Sequence, residues 1–168
     1  RRDEEIDNIH SVYVDQWDWE KVIDRSMRNE EYLRLVVKKI VAALVATNNA
    51  VRYEFNQLEC NITPEVSFIT TQELGDLYPD KTPKERENLY VREHHTTFLM
   101  KIGGALRSGK PHDGRAPDYD DWELNGDILI WNEVLGTAFE ISSMGIRVDA
   151  ESLARQLKTA GCEERAAL

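Results

Sequence analysis

Apolar residues recur at helical spacing across residues 29–56, and this stretch predicts the longest helix of the chain. The apolar positions are Leu33, Val36, Val37, Ile40, Val41, Leu44, Val45 and Val51. Residues three and four apart lie on one face of an α-helix, so these positions form a stripe that can pack on a core. Asn29 is the predicted N-cap, because its side-chain oxygen can accept a hydrogen bond from a free amide of the first turn.

Short runs of β-branched, aromatic and other apolar residues predict strands at 11–19, 66–69, 98–102, 127–131 and 138–142. Thr70 with Glu73, and Thr82 with Glu85, have capping-box spacing, so each pair predicts the start of a short helix. A last helix is predicted to begin near Asp149. Regular crossover helices do not join these strands, so we expect an α+β fold, with an antiparallel sheet flanked by helices.

The size of the chain indicates one globular unit. It has 168 residues, 41% of them hydrophobic, and no internal repeat or linker interrupts them. The first residue is Arg1 rather than Met, and a charged segment begins at once. We therefore expect residues 1–168 to be the middle of a longer chain.

Charge and cysteine content restrict the function classes. The chain has 21 basic and 31 acidic residues and a formal net charge of -10, so nucleic-acid binding is not expected, because phosphate contacts need clustered Lys and Arg. We also expect no membrane association, since no apolar run reaches the roughly 20 residues of a membrane span. Cys60 and Cys162 lie far apart without ligand-like neighbours, which favours free thiols in the cytoplasm over a disulfide or a zinc site.

Two motifs are interpreted as structural. Residues 104–110 spell G-x-x-x-x-G-K, but Pro111 follows where a phosphate loop has Ser or Thr, and no helical pattern comes next. We therefore predict a Gly-rich surface loop there. His94, His95, His112 and Asp113 lack the spacing of a metal site.

Alternating polar residues suggest a binding surface in the first predicted strand. Gln16, Asp18 and Glu20 would point to one face of a strand over residues 11–19. Either this face is simply solvated, or it forms a polar pocket for a small zwitterion, in which an amide and carboxylates meet an ammonium group.

A second polar cluster covers residues 140–147, where Glu140 precedes Arg147 by seven positions. The pattern predicts a strand that leads into a tight polar turn. Glu140 and Asp127 could hold Mg²⁺, and Arg147 could bind a carboxylate through both of its terminal nitrogens. The alternative is a surface ion pair. Residues 115–122 (RAPDYDDW) contain three carboxylates, which are typical of a solvated acidic loop.

Taken together, four segments resemble the ammonia-dependent asparagine synthetases. They are residues 10–20 (HSVYVDQWDWE), 115–122 (RAPDYDDW), 125–132 (NGDILIWN) and 139–149 (FEISSMGIRVD). The resemblance extends over essentially the whole chain. It implies a fold like that of the class II aminoacyl-tRNA synthetases, and it makes residues 1–168 the central part of a single catalytic domain, without the N-terminal and C-terminal parts found in the family.

The resemblance also implies a reaction and a set of site residues. Aspartate and ATP would form β-aspartyl-adenylate and pyrophosphate, and ammonia would then displace AMP to give asparagine. The N-terminal residues look like the end of an R-x-E motif whose arginine binds the α-phosphate, with Arg1 and Arg2 as equal candidates and Glu4 as the acid. Asp127 and Glu140 are assigned to Mg²⁺ and the nucleotide. The aspartate pocket is assigned to Gln16, Asp18, Asp120, Ser142, Ser143 and Arg147.

Activation of the side-chain carboxylate implies a particular orientation of aspartate. Arg147 should hold the α-carboxylate, because the β-carboxylate must meet ATP. Ammonium must lose a proton before it attacks, and Asp120 is the candidate that binds it or takes that proton.

Two further features depart from the family pattern or rest on it alone. The segment between Trp122 and Asn125 is shorter than in relatives, and a homodimer is implied only by the resemblance. Two other functions are compatible with the same motifs: the core of an aspartyl- or asparaginyl-tRNA synthetase, which the acidic composition disfavours, and a non-catalytic paralogue that binds aspartate or AMP.

Overall fold

The computed structural model describes residues 6, 10–16, 18–58 and 62–167. Its helices and strands are α1 (Glu30–Glu54), β1 (Ser67–Thr70), α2 (Thr71–Leu77), α3 (Pro83–His94), β2 (Thr96–Met100), β3 (Asp120–Asn132), β4 (Thr137–Arg147) and α4 (Ala150–Ala160). Short 3₁₀ turns lie at Arg25–Met27 and Glu163–Ala167. No helix among the described residues is long and apolar enough to cross a membrane.

The four strands form one mixed sheet in the order β1-β2-β3-β4. β2 with β3 and β3 with β4 are antiparallel, as expected, whereas β1 and β2 are parallel. The expectation of a wholly antiparallel sheet is therefore wrong for this pair. α2 and α3 lie between β1 and β2 in the chain, and they provide the long connection that parallel neighbours need.

Helices cover both faces of the sheet. On one face, Val37 and Val41 of α1 pack with Phe98 and Ile128 of the sheet. On the other face, residues of α2 and α3 pack with the sheet, and this second cluster comprises Ile69, Leu74, Val91, Leu99, Ile102, Leu129 and Ala138. The α+β class is confirmed.

The predicted helix starts are confirmed by their caps. Asn29 Oδ1 accepts from the amide of Tyr32 at 2.8 Å, and α1 ends at Glu54, two residues before the predicted limit. The capping boxes at Thr70 and Thr82 are both formed. Asp149 caps α4 in the same way. Each of these signals is local, since it needs only a side chain and an amide within three residues.

The predicted strand at 11–19 is wrong. The described residues of this range, 11–16 and 18–19, lie outside regular structure, and they include exposed apolar side chains such as Tyr13 and Trp19. β-branched and aromatic residues favour a strand only when a neighbouring strand supplies backbone partners. Among the described residues the sheet consists of β1 to β4, so the described part of this segment does not form a strand.

The prediction of a Gly-rich loop at 104–110, rather than a phosphate loop that leads into a helix, is confirmed. The amide of Leu106 donates to the carbonyl of Lys110 at 3.0 Å, and the amide of Gly109 donates to that of Leu106 at 2.8 Å. Ala105 forms an isolated antiparallel bridge with Pro111. The segment therefore folds back on itself as a tight turn.

β3 and β4 are longer than predicted, and their pairing is interrupted twice. Asp120 pairs with Arg147 and Asn125 with Gly145, so residues 121–124 of β3 face only Ile146. Further along, Ile128 pairs with Ser142 and Leu129 with Glu140, which leaves one extra residue in β4. The predicted polar turn before Arg147 is wrong, since β4 continues to that residue.

The first interruption turns Asp121 into the protein interior. Its side chain is 4% exposed, and Oδ2 lies 2.5 Å from Nη2 of Arg28. Oδ1 accepts from the amide of Glu123 at 3.0 Å and lies 3.6 Å from Arg155 of α4. One buried carboxylate thus connects β3, the segment before α1, and α4. The prediction of a solvated acidic loop at 115–122 is wrong for Asp120 and Asp121, both of which are buried.

We expect Asp121→Asn to lower the free energy of unfolding by about 2–3 kcal/mol, because it removes the closer and more deeply buried of the two carboxylates that pair with the partly buried Arg28, the other being Asp149 at 3.5 Å. The matched control is Asp118→Asn. Asp118 pairs with Arg165 at 3.2 Å with both side chains largely open to water, and its loss should cost under about 1 kcal/mol. Urea unfolding of the two variants measures the difference, and equal midpoints would contradict this account.

Candidate active site

A pocket of about 840 Å³ lies along β4. It is lined by residues from the segment before α1, from α1 itself, from the loop at 115–120, from β4, and from the start of α4. The predicted site residues among its lining are Asp18, Asp120, Ser142, Ser143 and Arg147. The fold therefore brings together residues that are more than a hundred positions apart in the chain.

Arg147 lies at the end of β4, where the strand register places it opposite Asp120. Nη1 contacts the Asp120 carboxylate, and Nη2 donates to Oε1 of Glu20 at 2.6 Å. The guanidinium lies over the ring of Tyr119, 3.4 Å from its centroid. Burial acts to lower the pKa of Arg147, but Glu20 and Asp120 outweigh it and raise the pKa, so the side chain stays charged.

Gly145 makes room for the Asp120 carboxylate. A Cβ atom at this position would lie 2.8 Å from Cγ of Asp120, which is closer than real Cβ contacts. Asp120 is 5% exposed, so its carboxylate is held between β3 and β4 with Arg147 as counter-ion. A larger residue at position 145 would displace the carboxylate from the arginine.

Asp127, Glu140 and Ser143 form a second polar group further along the same two strands. Asp127 pairs with Ser143, and both contact Arg115: Nη2 lies 2.6 Å from Oδ1 of Asp127, and Nη1 donates to the Ser143 hydroxyl. Sequence reasoning gave Arg115 no role. Its signal was its place in the RAPDYDDW segment, but nothing local indicated that it reaches across to β3 and β4.

Both carboxyls of this group have raised pKa values. Burial raises the pKa of Asp127 despite the opposing effect of Arg115. Glu140 is an exposed residue, yet the partial loss of surrounding water raises the pKa of its carboxyl, and the nearby negative charge of Asp127 raises it further. Two carboxylates that disfavour each other's charge are a typical site for a cation.

His112 anchors the loop that carries Arg115. Its side chain is 1% exposed, and Nε2 lies 3.0 Å from Oε1 of Glu87 in α3. Lys84 lies 2.9 Å from the other oxygen of Glu87. Sequence reasoning did not foresee this buried pair, because its partners are 25 residues apart. The described residues contain no group of three or more His, Cys, Asp or Glu side chains that could hold a metal.

The predicted Gln16, Asp18 and Glu20 surface is changed by the absence of a strand. Gln16 and Asp18 are both exposed. Asp18 and Glu20 line the pocket, whereas Gln16 is not among the lining residues. The geometric basis for placing all three on one strand face is therefore wrong. Arg1, Arg2 and Glu4 lie outside the described residues.

Comparisons with known proteins match the chain as a whole to one family. A family model described as aspartate-ammonia ligase matches residues 1–168. The chain is 61% identical over 165 residues to an aspartate–ammonia ligase of Clostridium tetani, with 98% of this chain and 48% of the relative covered. The ligase of Levilactobacillus brevis is 56% identical over 168 residues, with 100% and 50% covered. That of Fusobacterium nucleatum is 55% identical, with 100% and 51% covered. The chain thus spans about half the length of the curated relatives it matches.

The raised pKa of Glu140 predicts a pH-dependent cost in stability. The folded state prefers the protonated carboxyl, so wild type is relatively most stable below the ordinary value of 4.5 and loses this contribution as pH rises through the raised pKa. Glu140→Gln should therefore raise the unfolding temperature at pH 7 by a few degrees, and the gain should vanish near pH 4. Glu93→Gln, at an exposed position on α3, is the control. A lower unfolding temperature for Glu140→Gln at pH 7 would contradict the prediction.

Proposed function

The chain belongs to the aspartate–ammonia ligase family, and from this we infer that the full-length protein makes asparagine from aspartate and ammonia with ATP. The observation that carries the inference is identity of 55–61% to relatives of that name over nearly the whole chain. The pocket supports it, since it combines a charged arginine with several carboxylates in one cavity. Such a set suits a zwitterionic amino acid.

The proposed reaction has two steps. The β-carboxylate of aspartate attacks the α-phosphate of ATP, which forms β-aspartyl-adenylate and releases pyrophosphate. Ammonia then attacks the acyl carbon and AMP leaves. The first step joins two anions, so the protein's contribution is positioning and neutralisation of charge.

Arg147 is assigned to the α-carboxylate of aspartate. Its guanidinium is fixed in orientation by Asp120 on one nitrogen and by the ring of Tyr119 on its face. An arginine held in this way presents its other nitrogen to a second carboxylate. Asp18, Ser142 and Ser143 line the same pocket and are assigned, with Gln16, to the remaining polar groups of aspartate.

Asp127 and Glu140 are assigned to a magnesium ion and the nucleotide. Their chemistry fits, since Mg²⁺ is commonly held by one or two carboxylates together with phosphate oxygens and water, and a cation would relieve the mutual effect that raises the pKa of Glu140. The ion would offset phosphate charge. Arg1 or Arg2, with Glu4, are assigned to the α-phosphate.

Further parts of the proposal come from the family resemblance. They are a class II synthetase-like fold, of which the mixed sheet and helices described above would be part; a single catalytic domain; a homodimer; and a cytoplasmic location. We propose no nucleic-acid partner, because the chain has a formal net charge of -10 and a tRNA surface needs clustered basic residues.

The test is to incubate the full-length protein with ATP, Mg²⁺ and aspartate, with and without ammonium or total tRNA. AMP and free asparagine that appear only with ammonium are the expected result. Aminoacylated tRNA would instead support a tRNA synthetase. Ligand binding without AMP release under any condition would support a non-catalytic paralogue.

Arg147→Lys should raise the KM for aspartate by about tenfold or more, because an ammonium group lacks the planar fork that lets one nitrogen donate to Asp120 while the other donates to the α-carboxylate. Arg107→Lys is the control, since Arg107 is 76% exposed, pairs with Asp76 of α2 and is not among the residues that line the pocket. Steady-state kinetics with aspartate as the varied substrate compare them. An unchanged KM in Arg147→Lys would remove the assignment.

Asp120→Asn should slow the second step by about a hundredfold if the carboxylate binds ammonium or takes its proton. The adenylate is first formed from ATP and aspartate, ammonium is then added, and asparagine is followed in a single turnover. This separates the second step from aspartate binding, which Asp120 also affects through Arg147. Asp118→Asn is the control, and an Asp120→Asn rate equal to that of the control would exclude the role.

A further inference from the structure

Two unequal carboxylates hold Arg147. Asp120 belongs to β3, and its side chain is 7% exposed. Glu20 comes from a segment outside regular structure, and its side chain is 72% exposed. Asp120 is thus a fixed part of the sheet, whereas the position of Glu20 depends on few contacts.

Contacts with Asp120 and Tyr119 leave the Nη2 edge of the Arg147 guanidinium available for a ligand, and Glu20 is hydrogen-bonded to that edge. Nη1 is taken by Asp120, and the ring of Tyr119 covers a face. Nη2 donates to Glu20 at 2.6 Å. Arg147 and Glu20 both line the pocket, so a small carboxylate that reaches Arg147 from the cavity meets the place where the Glu20 carboxylate already lies.

We propose that Glu20 occupies the substrate-carboxylate position on Arg147 and so sets the affinity of the pocket for aspartate. This proposal rests on the proposed function, in which Arg147 binds the α-carboxylate. The exchange replaces one carboxylate by another on the same nitrogen, so Arg147 stays paired throughout. Glu20 is thereby an affinity-determining residue rather than a part of the bound complex.

The exposure of the Arg147–Glu20 ion pair indicates how strongly Glu20 competes with aspartate. Ion pairs between largely exposed side chains are weak, so Glu20 competes with aspartate without preventing its binding. The apparent affinity for aspartate is reduced in proportion to the fraction of protein in which Nη2 of Arg147 is not paired with Glu20. We therefore expect an affinity reduction of about twofold to fivefold.

The direction in which a Glu20 substitution changes the affinity for aspartate distinguishes a competitor from a residue that binds the substrate. Removal of a residue that binds substrate weakens binding, whereas removal of a competitor strengthens it. Glu20→Gln keeps the size of the side chain and removes its charge. Glu20→Asp keeps the charge but shortens the side chain, so its effect should lie between those of wild type and Glu20→Gln.

The control is Asp15→Asn, which removes one negative charge from the same segment. Asp15 is exposed, accepts a hydrogen bond from the hydroxyl of Tyr13 at 3.1 Å, and is not among the residues that line the pocket. The Asp15→Asn variant therefore shows how much the affinity for aspartate changes when one negative charge is removed outside the pocket. Measurements at about 0.15 M salt limit that general effect, since the screening length is then about 8 Å.

The experiment measures the dissociation constant of aspartate by calorimetry on the full-length protein without ATP, and the KM for aspartate in asparagine formation. Glu20→Gln should lower both by about twofold to fivefold, with Asp15→Asn equal to wild type. An unchanged or weaker affinity in Glu20→Gln, or an equal gain in Asp15→Asn, would overturn the proposal. If wild type formed no asparagine, the proposed function itself would fail, whereas asparagine formation with unaltered aspartate affinity in Glu20→Gln would overturn only the role of Glu20.

Discussion

The interrupted pairing of β3 with β4 is the constraint on which both polar groups of the candidate site depend. Side chains alternate between the two faces of a regular strand, so Glu140 and Ser143 would lie on opposite faces of an unbroken β4. The extra residue opposite Ile128 and Leu129 changes this alternation, and both residues are then on the side of Asp127 and Arg115. β-bulges commonly redirect side chains next to functional sites in this way.

The longer interruption at residues 121–124 has a different consequence. It allows two successive carboxylates to be buried with different partners, Asp120 with Arg147 and Asp121 with Arg28. Arg28 also reaches Ser152 at 3.1 Å. The segment before α1, the end of β4 and the start of α4 are thereby connected around the pocket. Each arginine also has a second, more exposed carboxylate partner, since Arg28 lies 3.5 Å from Asp149 and Arg147 pairs with Glu20.

Charged side chains of the pocket are paired within the protein, partly with residues beside the pocket such as Asp127, which does not line it. Glu20 lies where a carboxylate ligand would meet Arg147, and Arg115 lies on the carboxylate assigned to a cation, Asp127. Even so, the pKa values of Asp127 and Glu140 remain raised. Internal pairing therefore leaves part of the electrostatic cost of these carboxyls uncompensated, as is common where a site is built for charged ligands.

The sequence by itself determined the helices, their caps, the α+β class, the family and some of the polar residues that meet in the pocket. Helix starts such as Asn29 and Thr82 were predictable because a cap is an interaction within three residues. Tertiary structure decided which strand propensity is realised, so that residues 11–16 and 18–19 are not a strand, and it decided that β1 and β2 are parallel. It also decided that Asp120 and Asp121 are buried, and that Arg115, Glu20 and His112 have partners on distant elements. The reason is physical: strand pairing, register and burial are set by groups far apart in the chain, and a local pattern contains no information about which of them will be neighbours.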